Sequence, residues 1–224
     1  MTKWILTHAR PAAVRGHGSS LTKRFATAFA AAALLALSVG CSSESSKPAE
    51  PAKEEPKTEL LTGRTAFQKM FVSARGWTRD AQPYRIESYV TTDGNGHDGK
   101  ATLWRASFGS PSQRAVKPWV WSGSTAPDAA ARGVNPGTED TYSPANASTQ
   151  IFDSLFLKVD SDQAFATAQK HGGDKVLEAT PENPVTYICD WNHVSNELVW
   201  HVIYGSKLRV AVNASTGEFI RVEK

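Results

Sequence analysis

The sequence predicts an α+β fold built of two tandem units, each one helix followed by an antiparallel β-sheet. Three observations carry this. The string Trp104-Arg105-Ala106-Ser107-Phe108-Gly109-Ser110 returns as Trp200-His201-Val202-Ile203-Tyr204-Gly205-Ser206, at a constant offset of 96 residues. Each copy stands late in a series that opens with apolar residues at helical spacing. The runs that follow each helix alternate apolar and polar residues, the period of a strand with one buried face.

The chain has 224 residues, 40% hydrophobic and 21% charged, which excludes a wholly disordered protein and a multi-pass membrane protein. Two cysteines, Cys41 and Cys189, without a Cys-x-x-Cys string, exclude a disulfide framework, an iron–sulfur site, haem attachment and a cysteine zinc site. No cofactor is expected. The formal charge of +3 is set by the N-terminus: residues 1–40 hold five basic residues and no acidic one, which leaves 20 basic against 22 acidic in the rest. That balance and the lack of a basic stripe or a phosphate-cradling glycine loop argue against nucleic acid as a partner.

In order along the chain, Lys23 and Arg24 precede an apolar run from Phe25 to Val39. That run is shorter than the roughly 20 residues a bilayer-spanning helix needs, so residues 1–40 read as an export signal. The run ends Leu37-Ser38-Val39-Gly40-Cys41, which resembles the lipobox of bacterial lipoproteins, with Ser38 where leucine is usual and Leu37 one step further out. The resemblance implies cleavage before Cys41 and lipidation of that cysteine, hence membrane attachment in the cell envelope, facing the periplasm. Ser42 after the cysteine resembles the outer-membrane pattern rather than the inner. Residues 41–62, with prolines at 48, 51 and 56 and alternating Glu and Lys, cannot bury a core and read as a disordered linker.

The first α+β unit is placed at 63–122. Phe67, Met70, Phe71 and Ala74 fall on one helical face, then Tyr84, Ile86 and Val90 alternate, Trp104, Ala106 and Phe108 alternate, and Trp119 and Trp121 share a face. Residues 123–150 are rich in Gly, Ser, Pro, Asn and Thr and read as a loop-rich connection. The second unit is placed at 151–224. Ser161 or Asp162 caps a helix through Ala164, Phe165 and Ala168 that Gly172-Gly173 stops. Strands follow at Val185 to Trp191, Trp200 to Tyr204 and Leu208 to Val212, with Gly205-Ser206 as a two-residue hairpin turn.

The second unit, from its helix through Leu208 to Asn213 and the closing Ala214-Ser215-Thr216-Gly217-Glu218, resembles the PepSY family of small extracytoplasmic domains. Asn213 stands where that family's closing Val-Asp-Ala-x-Thr-Gly-Glu turn has aspartate, and the first unit lacks the Thr-Gly turn. The resemblance implies a binding, inhibitory or regulatory role rather than catalysis, for a protein or peptide partner.

Asp93 to Gly99 opens like a calcium loop, but the sixth place is Asp98 and the twelfth Trp104, so it reads as an exposed turn and no metal is expected. Asp190, His193 and His201 have no nucleophile motif beside them, and His201 alternates with Trp200, which places it on the sheet's open face. Cys189, in an apolar run, reads as a buried thiol. Trp119 and Trp121, beside Lys117 and before the long loop, are the expected partner-binding surface. The function expected is thus a non-catalytic binding module of the envelope, the alternatives being an extracytoplasmic enzyme with its site in the long loop or a structural envelope protein.

Overall fold

The computed structural model describes residues 57–223. The sequence-predicted signal, Cys41 and most of the linker lie outside the described residues. The elements run β1 (Leu61–Thr62), α1 (Gly63–Trp77), β2 (Gln82–Ser88), β3 (Lys100–Ala101), β4 (Leu103–Ser110), β5 (Ala115–Ser122), β6 (Gly133–Pro136) and β7 (Asp140–Thr141). They continue with α2 (Ser161–Ala168), α3 (Asp174–Ala179), β8 (Val185–Asn192), β9 (Glu197–Tyr204), β10 (Leu208–Asn213) and β11 (Phe219–Glu223).

The fold is α+β, as expected, but the sheets are not separate. One antiparallel sheet runs in the order β11-β10-β9-β8-β2-β4-β5-β6, with β7 also on β5. The joint is β2 against β8, where Ile86 faces Cys189 and Glu87 faces Ile188. The expectation of two self-contained sheets is corrected here. Each run of three long strands ends in a strand whose outer N–H and C=O groups need partners, and pairing the two exposed edges satisfies both.

Helices α1 and α2 cover one face of this sheet. The registers place Trp104 and Trp200 on that face, fully buried, with their indoles edge-on at 6.4 Å. Each indole N–H donates to a backbone carbonyl two residues before a helix: Trp104 Nε1 to Leu61 O and Trp200 Nε1 to Val159 O, both at 2.9 Å. Gly63 sits over the pair, and a Cβ there would come within 2.7 Å of Trp200 and 2.9 Å of Trp104, so α1 can start at this point only with glycine. Tyr187 lies against Trp104 with ring centroids 5.9 Å apart, and Phe67, Met70, Phe108, Val202 and Tyr204 belong to the same core.

Asp160 joins the helix starts. It is the N-cap of α2, in a capping box with Gln163, and its Oδ1 also accepts from Arg64 N at 2.8 Å while Oδ2 accepts from Thr62 Oγ1 at 2.7 Å. Gly63 N donates to Ser161 Oγ at 2.7 Å. One carboxylate therefore satisfies orphan N–H groups at two helix N-termini, where it also favourably meets both dipoles. The cap is one residue before the Ser161 or Asp162 that sequence pattern suggests.

Other boundaries also move. Residues 58–62 belong to the fold rather than to the linker, because Glu59 N donates to Gly123 O and Leu61 pairs with Ala101. Of the expected alternation Tyr84–Ile86–Val90 only Ile86 is buried, because Tyr84 falls at a bulge between Pro83 and Arg85 and Val90 lies exposed beyond the strand. Gly172-Gly173 interrupts the second helix, as expected, since helical dihedrals fail at His171 and Gly172. The chain makes a π turn over Gln169–Gly173, with Gly172 at φ 110°, and resumes as α3. The turn after β9 holds three residues, since Tyr204 pairs with Leu208. The 123–150 connection is not all loop, for β6 and β7 both pair with β5.

Candidate functional site

The face opposite the helices carries the titratable side chains that the fold brings together. Strand alternation puts Arg85 and Glu87 of β2, Arg105 of β4, Asp190 of β8, His201 of β9, Arg209 of β10, and Arg221 and Glu223 of β11 on this open face. They form one unbroken row across six strands. Arg105 Nη1 lies 3.7 Å from Glu87 Oε1, and Glu87 Oε2 accepts from Arg85 Nε at 2.9 Å. Arg85 Nη1 reaches Asp190 Oδ2 at 3.4 Å. His201 then stands between two carboxylates, with Nε2 3.3 Å from Asp190 Oδ1 and Nδ1 2.6 Å from Glu223 Oε2. Arg209 Nε and Arg221 Nη2 hold the two Glu223 oxygens at 2.7 and 2.6 Å.

The acids lie under the bases. The Glu87 and Glu223 side chains are 16% and 14% exposed and Asp190 31%, whereas Arg85, Arg105, Arg209 and Arg221 are 37%, 39%, 40% and 47% exposed. Burial works to raise the Glu223 carboxyl, but the charge and hydrogen bond of His201 and the two guanidinium groups outweigh it and hold the group below its ordinary value. Arg209 Nε also donates to His201 Nδ1 at 3.3 Å. The imidazole is buried and contacted at both nitrogens. His201 is on the open face, as its alternation with Trp200 implies.

The tryptophans that sequence reasoning assigned to a partner surface are not on one. Trp119 and Trp121 are 4% and 2% exposed, so no partner can stack on them. Trp77 of α1 closes over Trp119 with ring centroids 5.5 Å apart, and Phe108 meets the same ring edge-on. Lys117 is part of this cover: its Nζ lies 5.8 Å from the Trp77 ring and 5.7 Å from the Trp119 ring, and 3.6 Å from Glu139. Aromatic density beside a glycine-rich segment marks core here, because β6 continues the sheet where a mobile loop was expected.

The remaining candidates have structural work. Asp93 ties the N-terminal segment to the end of β5: it accepts from Ser124 Oγ at 2.8 Å, Thr125 N at 3.0 Å and Thr58 Oγ1 at 3.1 Å. Burial opposes the charge, but these donors lower its pKa to about 2. A shallow groove of about 650 Å³ beside it is lined by Val90, Thr91, Asn95 and Pro184. His97 Nε2 contacts Asn183 O at 3.0 Å, while His193 is exposed in the turn between β8 and β9. Gly99, at φ 73°, lies against Asp162 where a Cβ would clash with backbone, and so locks the 89–102 connection onto α2. Cys189 is buried in the core, as expected, and burial pushes its thiol well above the ordinary value. Among the described residues no group of three His, Cys, Asp or Glu is placed to hold a metal ion.

Of the residues in the row, sequence reading singled out only Asp190 and His201. Arg85, Glu87, Arg105, Arg209, Arg221 and Glu223 escaped it, although each occupies the polar phase of an alternating strand. Comparison of the chain with family models, with curated proteins and with solved structures gave no match.

Proposed function

We propose that this chain is a lipid-anchored, non-catalytic binding module of the bacterial cell envelope, whose folded part consists of two fused PepSY-like copies and whose binding face is the open face of the sheet. The observation that carries the binding reading is the layering of that face, with arginines outermost over carboxylates that hold them in position. A fixed array of guanidinium groups is a recognition surface, since the side chains are ordered before a partner arrives and less entropy is lost on binding.

Duplication is supported by the paired tryptophans. Trp104 and Trp200 occupy corresponding strands, and their N–H groups bond carbonyls at corresponding positions before two helices. At the joint, Ile86 opposes Cys189 and Ser88 Oγ accepts from Tyr187 N at 3.0 Å, as two copies related by a two-fold axis through the Glu87–Ile188 pair would. The anchor reading rests on the lipobox-like string ending at Cys41, and multiple acyl chains are expected there because one chain binds a membrane only marginally.

Two experiments test this reading. Alkyne-palmitate labelling of cells producing the full chain is expected to mark the protein, and Cys41→Ser to lose both the label and the membrane fraction. Retention of the variant in the membrane pellet contradicts the anchor. A photo-crosslinking side chain at Thr186, on the open face, is expected to give a discrete adduct in native envelopes that the same group at Val72, on the outer side of α1, does not. Equal yields from both positions contradict the assignment of the face.

A further inference from the structure

We infer that the partner of the open face is an extended acidic peptide segment, carrying carboxylates at both ends and apolar or neutral residues between them. This rests on the reading of the open face as the binding face, and it adds the chemistry of what binds.

The row has two cationic ends and a different middle. At one end Arg105 and Arg85 share Glu87, and at the other Arg209 and Arg221 share Glu223. Two guanidinium groups on one carboxylate leave each end with a surplus positive charge on side chains more exposed than the acids beneath them, and a guanidinium group can take a further carboxylate in a forked hydrogen bond. Between the ends stand Asp190, already engaged by Arg85 and His201, and the half-buried aliphatic side chains of Ile188 and Ile203.

From β4 to β11 the row crosses five strand-to-strand steps, about 24 Å at about 4.8 Å each. An extended peptide rises about 3.3 Å per residue, so about seven residues span the two ends. Such a peptide can set acidic side chains over the paired arginines and β-branched ones over the isoleucines. A nucleic acid strand fits less well, since it carries charge at every repeat and would lay phosphates over the Asp190 carboxylate in the middle. An anionic membrane surface has the same mismatch, having headgroups above the isoleucines.

The test uses the full chain as Cys41→Ser, so that neither an acyl anchor nor detergent acts on the vesicles, and a fluorescent peptide with two glutamates at each end and Val-Thr-Val between, followed by anisotropy. The comparators are the same peptide with lysines for glutamates, a single-stranded oligonucleotide, and vesicles containing phosphatidylglycerol. Saturable binding of the acidic peptide is expected, weakened at least about tenfold in Arg105→Gln/Arg221→Gln and by raising salt from about 50 mM to about 500 mM on the unaltered protein. Equal binding of the lysine peptide, unchanged affinity in the double variant, or tighter binding of oligonucleotide or vesicles overturns the inference. The salt series keeps the test decisive should the double variant fold poorly. If the peptide fails while the Thr186 adduct still forms, the partner chemistry assigned here is wrong and the binding face stands; if both fail, the face itself is wrong.

Discussion

The two faces of the sheet divide the labour of this protein. On the helix face the chain spends its aromatic residues: Trp104, Trp200, Phe108, Tyr187 and Tyr204 are buried against α1 and α2, and their few polar atoms are tied to backbone or to a neighbouring side chain. On the open face the same strands present arginine over acid. The helix face is held by area removed from water, which is large and non-directional. The open face is held by ion pairs that are partly solvated, which contribute little to stability but fix the position of charge. Damage to the first face should unfold the protein, and damage to the second should leave it folded and blunt.

The largest effect is expected from the helix face. Trp200→Ala removes a fully buried indole and a hydrogen bond to Val159 O, and should cost about 3–5 kcal/mol, with Trp104→Ala close behind. Urea unfolding followed by circular dichroism measures both. A loss under about 1 kcal/mol would mean that the core can close over the gap and that the two indoles do not organise it.

Next is the pinned histidine, where the two faces stop being cleanly separate. His201→Phe leaves Glu223 and Asp190 short of a donor in a half-buried row and should cost about 1–3 kcal/mol in the same assay. Asp160→Ala removes one carboxylate from two helix N-termini and should cost about 1–2 kcal/mol, more than Asp160→Asn, which keeps an acceptor.

Acid should act through pinned carboxylates. The Asp93 carboxyl titrates at about 2 in the fold against an ordinary 3.8, so its contribution is fully present above 3.8 and is lost as the pH falls toward about 2. Glu223, also lowered, acts with the same sign, and so does Asp80, where hydrogen bonds from Thr78, Ser110 and Ser112 hold the carboxyl well below its usual range. Asp93→Asn should therefore flatten the acid limb of a stability–pH profile while changing neutral-pH behaviour less. An unchanged acid limb would show that Thr58 and Ser124 do not grip a charge.

How much of this is legible in the residues alone differs between the faces. The helix face is readable because its signal is local: the repeated Trp string, the alternation from Val185 to Trp191 and the spacing of Phe67, Met70 and Ala74 each lie within one element. Even there, Trp119 and Trp121 mislead, since whether an aromatic pair is core or surface depends on Trp77 and β6 closing over it. The open face is legible only in part. Alternation places His201 opposite to Trp200, but the row depends on β2 meeting β8 across about a hundred residues of chain and on β11 folding back beside β10. No local pattern records that register, so Arg85, Arg105 and Glu223 look like ordinary exposed charges until the sheet is assembled.

The smallest expected change in stability belongs to the outermost arginines, and it is also the most direct test of the division of labour. Urea unfolding of the full chain carrying Arg105→Gln/Arg221→Gln should give a stability within about 0.5 kcal/mol of the unaltered protein, while the same preparation loses its affinity for the acidic peptide. A drop in stability comparable to that of Trp200→Ala, or full retention of peptide binding in a protein that stays folded, would contradict the account.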